Sequence, residues 1–245
     1  MGTKEVEFFH KQIESNLTKA SQGGVVLTSF LDETKQAYLQ SFHSKDVEII
    51  VDGGFDEAEY KRAIFKPLDL DIKNFKIKVY EILYNSRYLE LNHRKVLGSL
   101  LGLGIKRESI GDIAFLNQSV YFACTEEIAA YIVSEFKTIH GVSIELKEVK
   151  ERLSIKKLLR EEKHIVSSLR LDVIVASAYK FSRNEAATMI TEGLVQLNHI
   201  PCLSISKQVS ENDVISVRHK GRIYVGKING KTKSDRLVLQ LGFLI

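Results

Sequence analysis

The spacing of apolar residues divides the chain into three regions, of which the first is helix-rich. Amphipathic spacing predicts two helices and a following strand, at 6–19, 32–42 and 47–54. A third helix is predicted over 56–65, ending before Pro67 because a residue that precedes proline disfavours helical geometry. Residues 1–73 are therefore interpreted as a small N-terminal α/β domain.

The second region, residues 74–150, alternates strand and helix patterns in the order βαββαβ. This order is typical of the ferredoxin-like plait, an antiparallel sheet with two helices on one face. Many RNA-binding domains have this fold, but unrelated enzymes and regulators have it too, so the topology alone does not establish a function.

The third region begins after a charged stretch, 151–168, which is interpreted as a linker with a short helix. In the domain predicted at 169–245, two helices form a hairpin and four strands follow. Ser182 and Glu185 have the spacing of a capping box that starts the second helix, and Gly193 is placed to end it. Asn229-Gly230 predicts a tight hairpin between the last two strands. The fold class is α+β.

Positive charge is concentrated in the last third of the chain. Residues 170–245 hold eleven Lys or Arg against six Asp or Glu, whereas the remainder holds twenty-four against twenty-five. Such an asymmetry favours a polyanionic partner, because lysines and arginines that neutralise phosphates release the counterions of the nucleic acid. A basic surface that serves solubility alone is the alternative.

The remaining composition predicts a cytoplasmic protein without a cofactor. The two cysteines, Cys124 and Cys202, lie in apolar surroundings that favour free thiols in a reducing compartment. There is no secretory signal and no apolar stretch long enough to span a membrane. Neither zinc-ligand spacing nor a phosphate-binding loop occurs.

The candidate RNA-binding residues of the C-terminal domain lie at helix starts and in one turn. Arg183 and Asn184 occupy the first turn of the second helix, where backbone N–H groups and the helix dipole favour phosphate. Arg170, at the start of the first helix, is expected to reach the same surface. Residues 218–222 bring Arg218, His219, Lys220 and Arg222 together around Gly221. Solvated surface cations are the alternative.

Two motif sets resemble known families. LRLDVIVASAYKFSRNEAATMITEGLVQLN, with ENDVISVRHKGR, resembles the S-four-type RNA-binding domain, first described in the fourth protein of the small ribosomal subunit. LNHRKVLGSLLGLGIKRESIGDI resembles the central block of the bacterial YlmH-type proteins, in which a plait precedes an S-four-type domain. The resemblance covers nearly the whole chain.

The resemblance implies a partner and a set of RNA contacts. It implies binding to rRNA and tRNA on the large ribosomal subunit with a stalled peptidyl-tRNA, in ribosome-associated quality control that rescues ribosomes and tails stalled chains. It also implies genomic proximity to cell-division functions. The family's RNA-contacting positions fall on a short set of residues: Arg170, Ser182, Arg183, Asn184, Lys220 and Arg222.

A second group of cations in the plait is a further candidate RNA contact. These residues open or follow one predicted helix: His93, Arg94, Lys95, Lys106 and Arg107. The alternative is structural, since glycines end that helix and the cations after it complement its dipole.

A non-enzymatic RNA-binding factor, expected to be monomeric, is the leading hypothesis. An RNA-modifying enzyme is the second, with Asp52, Asp56 and Asp112 as candidate acids that also suit turns and helix caps. A cell-division adaptor, in which RNA binding is secondary, is the third.

Overall fold

Two separate sets of long-range contacts organise the chain. The computed structural model describes residues 3–155 and 159–244. Its contacts define two units, Met1–Lys156 and Lys157–Ile245, which we call the N-terminal unit and the C-terminal unit. No described helix is both long enough and apolar enough to cross a membrane.

The first part of the N-terminal unit packs helices on a three-stranded sheet. Its elements are α1 (Thr3–Ser21), β1 (Val26–Leu27), α2 (Glu33–Leu39), β2 (Val47–Asp52), β3 (Phe55–Asp56) and β4 (Arg62–Pro67). Strand β4 lies between β1 and β2 and is antiparallel to both. Phe9 and Ile13 of α1 are buried in one cluster with Phe65 of β4. The predicted helices over 6–19 and 32–42 and the strand at 47–54 are confirmed, although α2 is shorter than expected.

The helix predicted over 56–65 is wrong, because this segment contains a turn and most of strand β4. Ala63, Ile64 and Phe65 are all buried, as in a strand that is covered on both faces. A short apolar run of this kind has no periodicity that separates a buried strand from a buried helix. Pro67 therefore ends a strand.

The second part of the N-terminal unit is the predicted plait. Its elements are β5 (Ile77–Tyr84), α3 (His93–Gly102), β6 (Ile110–Leu116), β7 (Ser119–Thr125), α4 (Glu126–Glu135), β8 (Thr138–Ile139), β9 (Val142–Val149) and β10 (Leu153–Ser154). The sheet order is β6-β7-β5-β9-β8, and every pair is antiparallel. The ferredoxin-like βαββαβ arrangement is confirmed.

The two parts of the N-terminal unit share a buried cluster. Phe30 and Phe55 of the first part pack with Val79 and Ala123 of the plait sheet. Gly111 of β6 permits this approach, since a Cβ added there would lie 2.7 Å from the Phe30 ring. The boundary between 73 and 74 stays a prediction, and residues on both sides of it contribute to this core.

The C-terminal unit consists of a helical hairpin and a six-stranded sheet. Its elements are β11 (Leu159–Val166), α5 (Leu171–Tyr179), α6 (Arg183–Thr191), β12 (Val195–Leu197), β13 (Ile200–Pro201), β14 (Val214–Val217), β15 (Gly221–Lys231) and β16 (Leu237–Leu244). The sheet order is β11-β16-β15-β14-β12-β13. Helix α5 is buried from Leu171 to Ala176. The predicted two-helix hairpin with a β-sheet is confirmed.

The predicted linker, 151–168, contains strands that sequence reasoning missed. Residues 153–154 form β10, which pairs with β3, and residues 159–166 form β11, which pairs with β16 along its whole length. Strand β11 lies at the edge of its sheet, where charged side chains are tolerated. Because of these charges, the composition of the segment resembles that of a linker. Residues 156–158 lie outside the described residues.

The hairpin predicted at Asn229-Gly230 is also wrong. Both residues lie within β15, which continues to Lys231, and the reversal comes at 232–236. The pairing of β15 with β16 shifts register between Ile228 and Lys231, where Gly230 has a φ of 109°. Asn-Gly therefore forms an irregularity of the strand, since glycine adopts this backbone geometry freely.

The two cysteines are free, as predicted. Cys124 is buried in the plait, and burial raises the pKa of its thiol to about 12. A thiol with this pKa stays protonated near neutral pH and is a poor nucleophile.

Candidate RNA-binding surface

The connection between α5 and α6 is short and tightly capped. Lys180 ends α5 in the left-handed conformation, with a φ of 57°. The Ser182 hydroxyl accepts the N–H of Glu185, and the Glu185 carboxylate accepts the N–H of Ser182. The predicted capping box is confirmed. The Ser182 hydroxyl is engaged in this cap, and its contact with RNA stays a prediction.

Asp172 holds the two candidate arginines of the helical hairpin. Its side chain is only 4% exposed, whereas those of Arg170 and Arg183 are 39% and 51% exposed. The Nε atom of Arg170 donates to one carboxylate oxygen at 3.1 Å, and Arg183 Nε donates to the other at 3.2 Å. Burial raises the pKa of Asp172, but hydrogen bonds and charge from both arginines outweigh it, so this pKa is lowered.

The turn between β14 and β15 lies against the start of α6. The Lys220 ammonium is 5.4 Å from the centre of the Phe181 ring, directly before the Ser182 cap. The Tyr179 hydroxyl donates to the carbonyl oxygen of Gly221 at 3.0 Å, which ties the turn to the end of α5. Arg222 lies in β15, with Nη1 3.5 Å from the Tyr224 hydroxyl.

Three cations from separate segments therefore share one surface, namely Arg170, Arg183 and Lys220. Asn184 is exposed in the first turn of α6 beside them. Each arginine uses part of its guanidinium on Asp172 and has exposed surface left for an anion. With the N–H groups of α6, this arrangement is suited to phosphate groups. We call these four residues the arginine surface.

The candidate residues of the plait have unequal surroundings. His93 and Arg94 are exposed at the start of α3, and the Lys95 ammonium donates to the carbonyl of Glu90 at 2.7 Å. Desolvation by neighbouring atoms and the positive charge of Arg107 lower the pKa of His93. Lys106 is exposed before the short 3₁₀ helix at Arg107–Ser109.

Arg107 is committed to contacts within the N-terminal unit. Its guanidinium lies 4.0 Å from the centre of the Tyr60 ring and donates to the carbonyl oxygen of Ile110. Both contacts fix the side chain between the plait and the first part of the unit. Its contact with RNA stays a prediction.

The plait sheet has little free surface for base stacking. Its α3 and α4 cover one face, and on the other face Val79, Ala114 and Ala123 are buried with Phe30 and Phe55. Nucleic-acid domains that read bases on such a sheet need exposed aromatic rings there. These covered faces favour the helices and loops of the plait over its sheet for any RNA contact.

The three candidate acids of the enzyme hypothesis have structural partners. Arg152 donates to Asp52 at 2.8 Å and to Asp56 at 2.6 Å. Asp112 accepts the backbone N–H groups of Glu59 and Tyr60, at 2.7 and 3.3 Å. Within the described residues, no group of three or more His, Cys, Asp or Glu side chains could hold a metal ion.

Asp112 makes the stability of the N-terminal unit depend on pH. Burial raises its pKa from 3.8 to about 6, despite the two backbone hydrogen bonds. Because the folded state binds the Asp112 proton more tightly than the unfolded state, protonation of Asp112 stabilises the fold. This stabilisation is complete below the unfolded-state pKa and is lost as pH rises through about 6. We expect the free energy of unfolding of the wild type, relative to Asp112→Asn, to rise by about 2 kcal/mol from pH 8 to pH 4. Hydrogen exchange of the backbone amides in β6 and β7 measures this free energy in both proteins. A difference between wild type and variant that does not change with pH contradicts the prediction.

Two features of the surface were missed by sequence reasoning. The motif Arg170-Leu171-Asp172 was visible, but only burial of the carboxylate shows that Asp172 orients two arginines. The aromatic pair Tyr179 and Phe181, stacked at 5.8 Å between ring centres, supports the Lys220 turn, and no signal in the sequence indicates this contact.

Two family models match parts of the chain. Residues 71–152 match the family described as "Putative RNA-binding domain in YlmH", and residues 169–215 match the family described as "S4 domain". The chain is 31% identical over 239 residues to the ribosome-associated protein quality control protein P2 of Bacillus subtilis (strain 168), covering 95% of this chain and 92% of the relative.

A solved structure, described as the cell division protein ylmH from Streptococcus pneumoniae, has a similar fold. The TM-score is 0.50 at 22% sequence identity, and the match covers 61% of this chain and 93% of that chain. At this identity the likeness concerns the fold alone.

Proposed function

The chain belongs to the YlmH family of RNA-binding proteins, and from this we propose that it acts on the large ribosomal subunit. In this proposal it binds rRNA together with a stalled peptidyl-tRNA in the cytoplasm. It serves ribosome-associated quality control, in which ribosomes are rescued and stalled chains are extended at their C-termini. The name of the Bacillus subtilis relative supports the pathway.

The arginine surface is the observation that supports RNA binding most strongly. A buried carboxylate orients Arg170 and Arg183, and the Lys220 turn adds a third cation at the start of α6. Oriented guanidinium groups favour the bidentate geometry of phosphate oxygens over simple charge attraction. The distribution of charge also favours RNA as the partner, since the excess of positive charge lies in residues 170–245.

A second RNA contact is proposed at the start of α3. Arg94 and Lys95 border an open groove together with His140 from the turn after β8. Because both faces of the plait sheet are covered, this groove is the better candidate for an RNA contact of the plait. His93 is the first residue of the same helix, Lys106 follows the helix, and both belong to the proposal.

We propose that the protein is not an enzyme. Asp52 and Asp56 share Arg152, and Asp112 binds two backbone N–H groups, so each has a structural role in holding the N-terminal unit together. Mass analysis of RNA after incubation with the protein tests this point, since catalysis would leave a modified nucleotide.

Co-sedimentation with ribosomal particles tests the proposed function. The full chain is mixed with small subunits, empty large subunits, and large subunits that carry peptidyl-tRNA, over a salt series. We expect it to sediment with the last of these most strongly. With three phosphate contacts, affinity should fall about 40-fold between about 50 and 200 mM salt. Failure to sediment with any particle at low salt contradicts the proposal.

A further inference from the structure

A cavity of about 210 Å³ lies in the N-terminal unit, between α1, the segment after β1, and β4. Its lining is half apolar and half polar, and the apolar half includes four phenylalanines: Phe8, Phe9, Phe30 and Phe65. A cavity in which aromatic walls meet several polar groups is suited to an apolar group that is flanked by polar ones.

A buried amide borders this cavity. Asn16 of α1 is only 8% exposed and lines the cavity wall. In the described part of the chain, the Asn16 side chain has no hydrogen-bond partner. The Asn16 amide is therefore available to a group that enters the cavity.

The mouth of the cavity combines an exposed ring with negative charge. Phe8 is 71% exposed at the edge. Glu5 and Glu108 also line the cavity, and Glu5 lies 3.6 Å from the ammonium of Lys35, the lysine among its lining residues. Residues 1–73 hold nine Lys or Arg against thirteen Asp or Glu. A phosphate backbone is disfavoured here, and a basic partner is favoured.

We infer that this cavity is the docking site for a peptide segment of a partner protein. The segment carries a large apolar side chain, which enters among the phenylalanines, beside lysine or arginine residues, which face Glu5 and Glu108. The Asn16 amide hydrogen-bonds the peptide backbone. The site is independent of the arginine surface, because it lies in the other unit and has the opposite charge.

Two probe peptides and a nucleotide test the inference on the full chain. The probes are the fluorescein-labelled peptide Lys-Lys-Leu-Phe-Lys-Lys amide, its counterpart with glutamate for each lysine, and AMP. We expect the basic peptide to bind at least tenfold more tightly than the acidic one, by fluorescence anisotropy. We also expect it to shift the Asn16 side-chain amide signals in ¹⁵N NMR spectra.

Variants of the cavity are compared with a matched control. Phe8→Ser removes the exposed ring and Asn16→Leu removes the amide, and each should weaken the basic peptide at least tenfold. Tyr88→Ser removes another ring of the same unit, 76% exposed and outside the cavity, and should leave binding unchanged. The inference is overturned if the Asn16 signals do not move, if both peptides bind equally, or if AMP shifts these signals more strongly. RNA binding is measured on the same variants and should be unaffected, so the two proposals fail or stand separately.

Discussion

Replacing Arg183 with alanine together with Lys220 with glutamate is expected to weaken binding to large subunits about 100-fold. Each residue is proposed to make one charge-assisted phosphate contact, and losing such a contact costs roughly 1.5 kcal/mol. The slope of log affinity against log salt should fall by about two, since two phosphate contacts are lost. The variant should still fold, because Arg170 remains paired with Asp172.

A matched variant controls for the change in net charge. Lys233→Glu with Arg236→Ala makes the same substitutions at the opposite end of strand β15, on exposed residues. We expect this control to retain nearly all of its affinity and its salt slope. Equal losses in the two variants would mean that overall charge, and not the arginine surface, carries the interaction.

Removing both arginines is expected to destabilise the C-terminal unit by about 3–5 kcal/mol. In Arg170→Ala with Arg183→Ala, the Asp172 carboxylate stays buried but loses the two groups that neutralise it. Leaving a buried charge without its partner is among the most costly changes in a protein. Hydrogen exchange of backbone amides in β15 and β16 measures the loss. This double variant is therefore a poor test of RNA binding.

A third substitution distinguishes the cost of an unpaired buried carboxylate from a simple loss of contacts. Adding Asp172→Ala removes the buried charge, so the triple variant should be more stable than the double variant. The pKa of Asp172 is lowered in the folded protein, so its stabilisation is present above the usual pKa of 3.8 and lost as pH falls through the folded value. The triple variant should lack this acid-dependent loss. A triple variant less stable than the double one contradicts the assigned role of Asp172.

Local sequence signals predicted the helical hairpin well. The capping box joins residues three positions apart, so it can be recognised without tertiary contacts. The plait was recognised for a similar reason, because its strands and helices alternate at typical lengths. Arg170 and Arg183 followed from their places at the starts of α5 and α6.

Features that depend on distant partners were not predictable in this way. Residues 62–67 form strand β4 because β1 and β2 pair with them on both sides. Residues 159–166 form strand β11 because they pair with β16, which lies almost eighty residues later in the sequence. The composition of each segment gives no indication of the strand with which it pairs. The irregular pairing at Gly230 is likewise a property of β15 and β16 together.

The sequence by itself determined the helical hairpin, the order of the plait and the positive charge of the C-terminal third, since each depends on residues close together along the chain. Only the tertiary structure decided which cations lie together. It buried Asp172 between Arg170 and Arg183, placed the Lys220 turn against Phe181, and engaged Arg107 with Tyr60. The physical reason is that pairing, burial and desolvation are set by neighbours in space, and here several of these neighbours are far apart in the sequence.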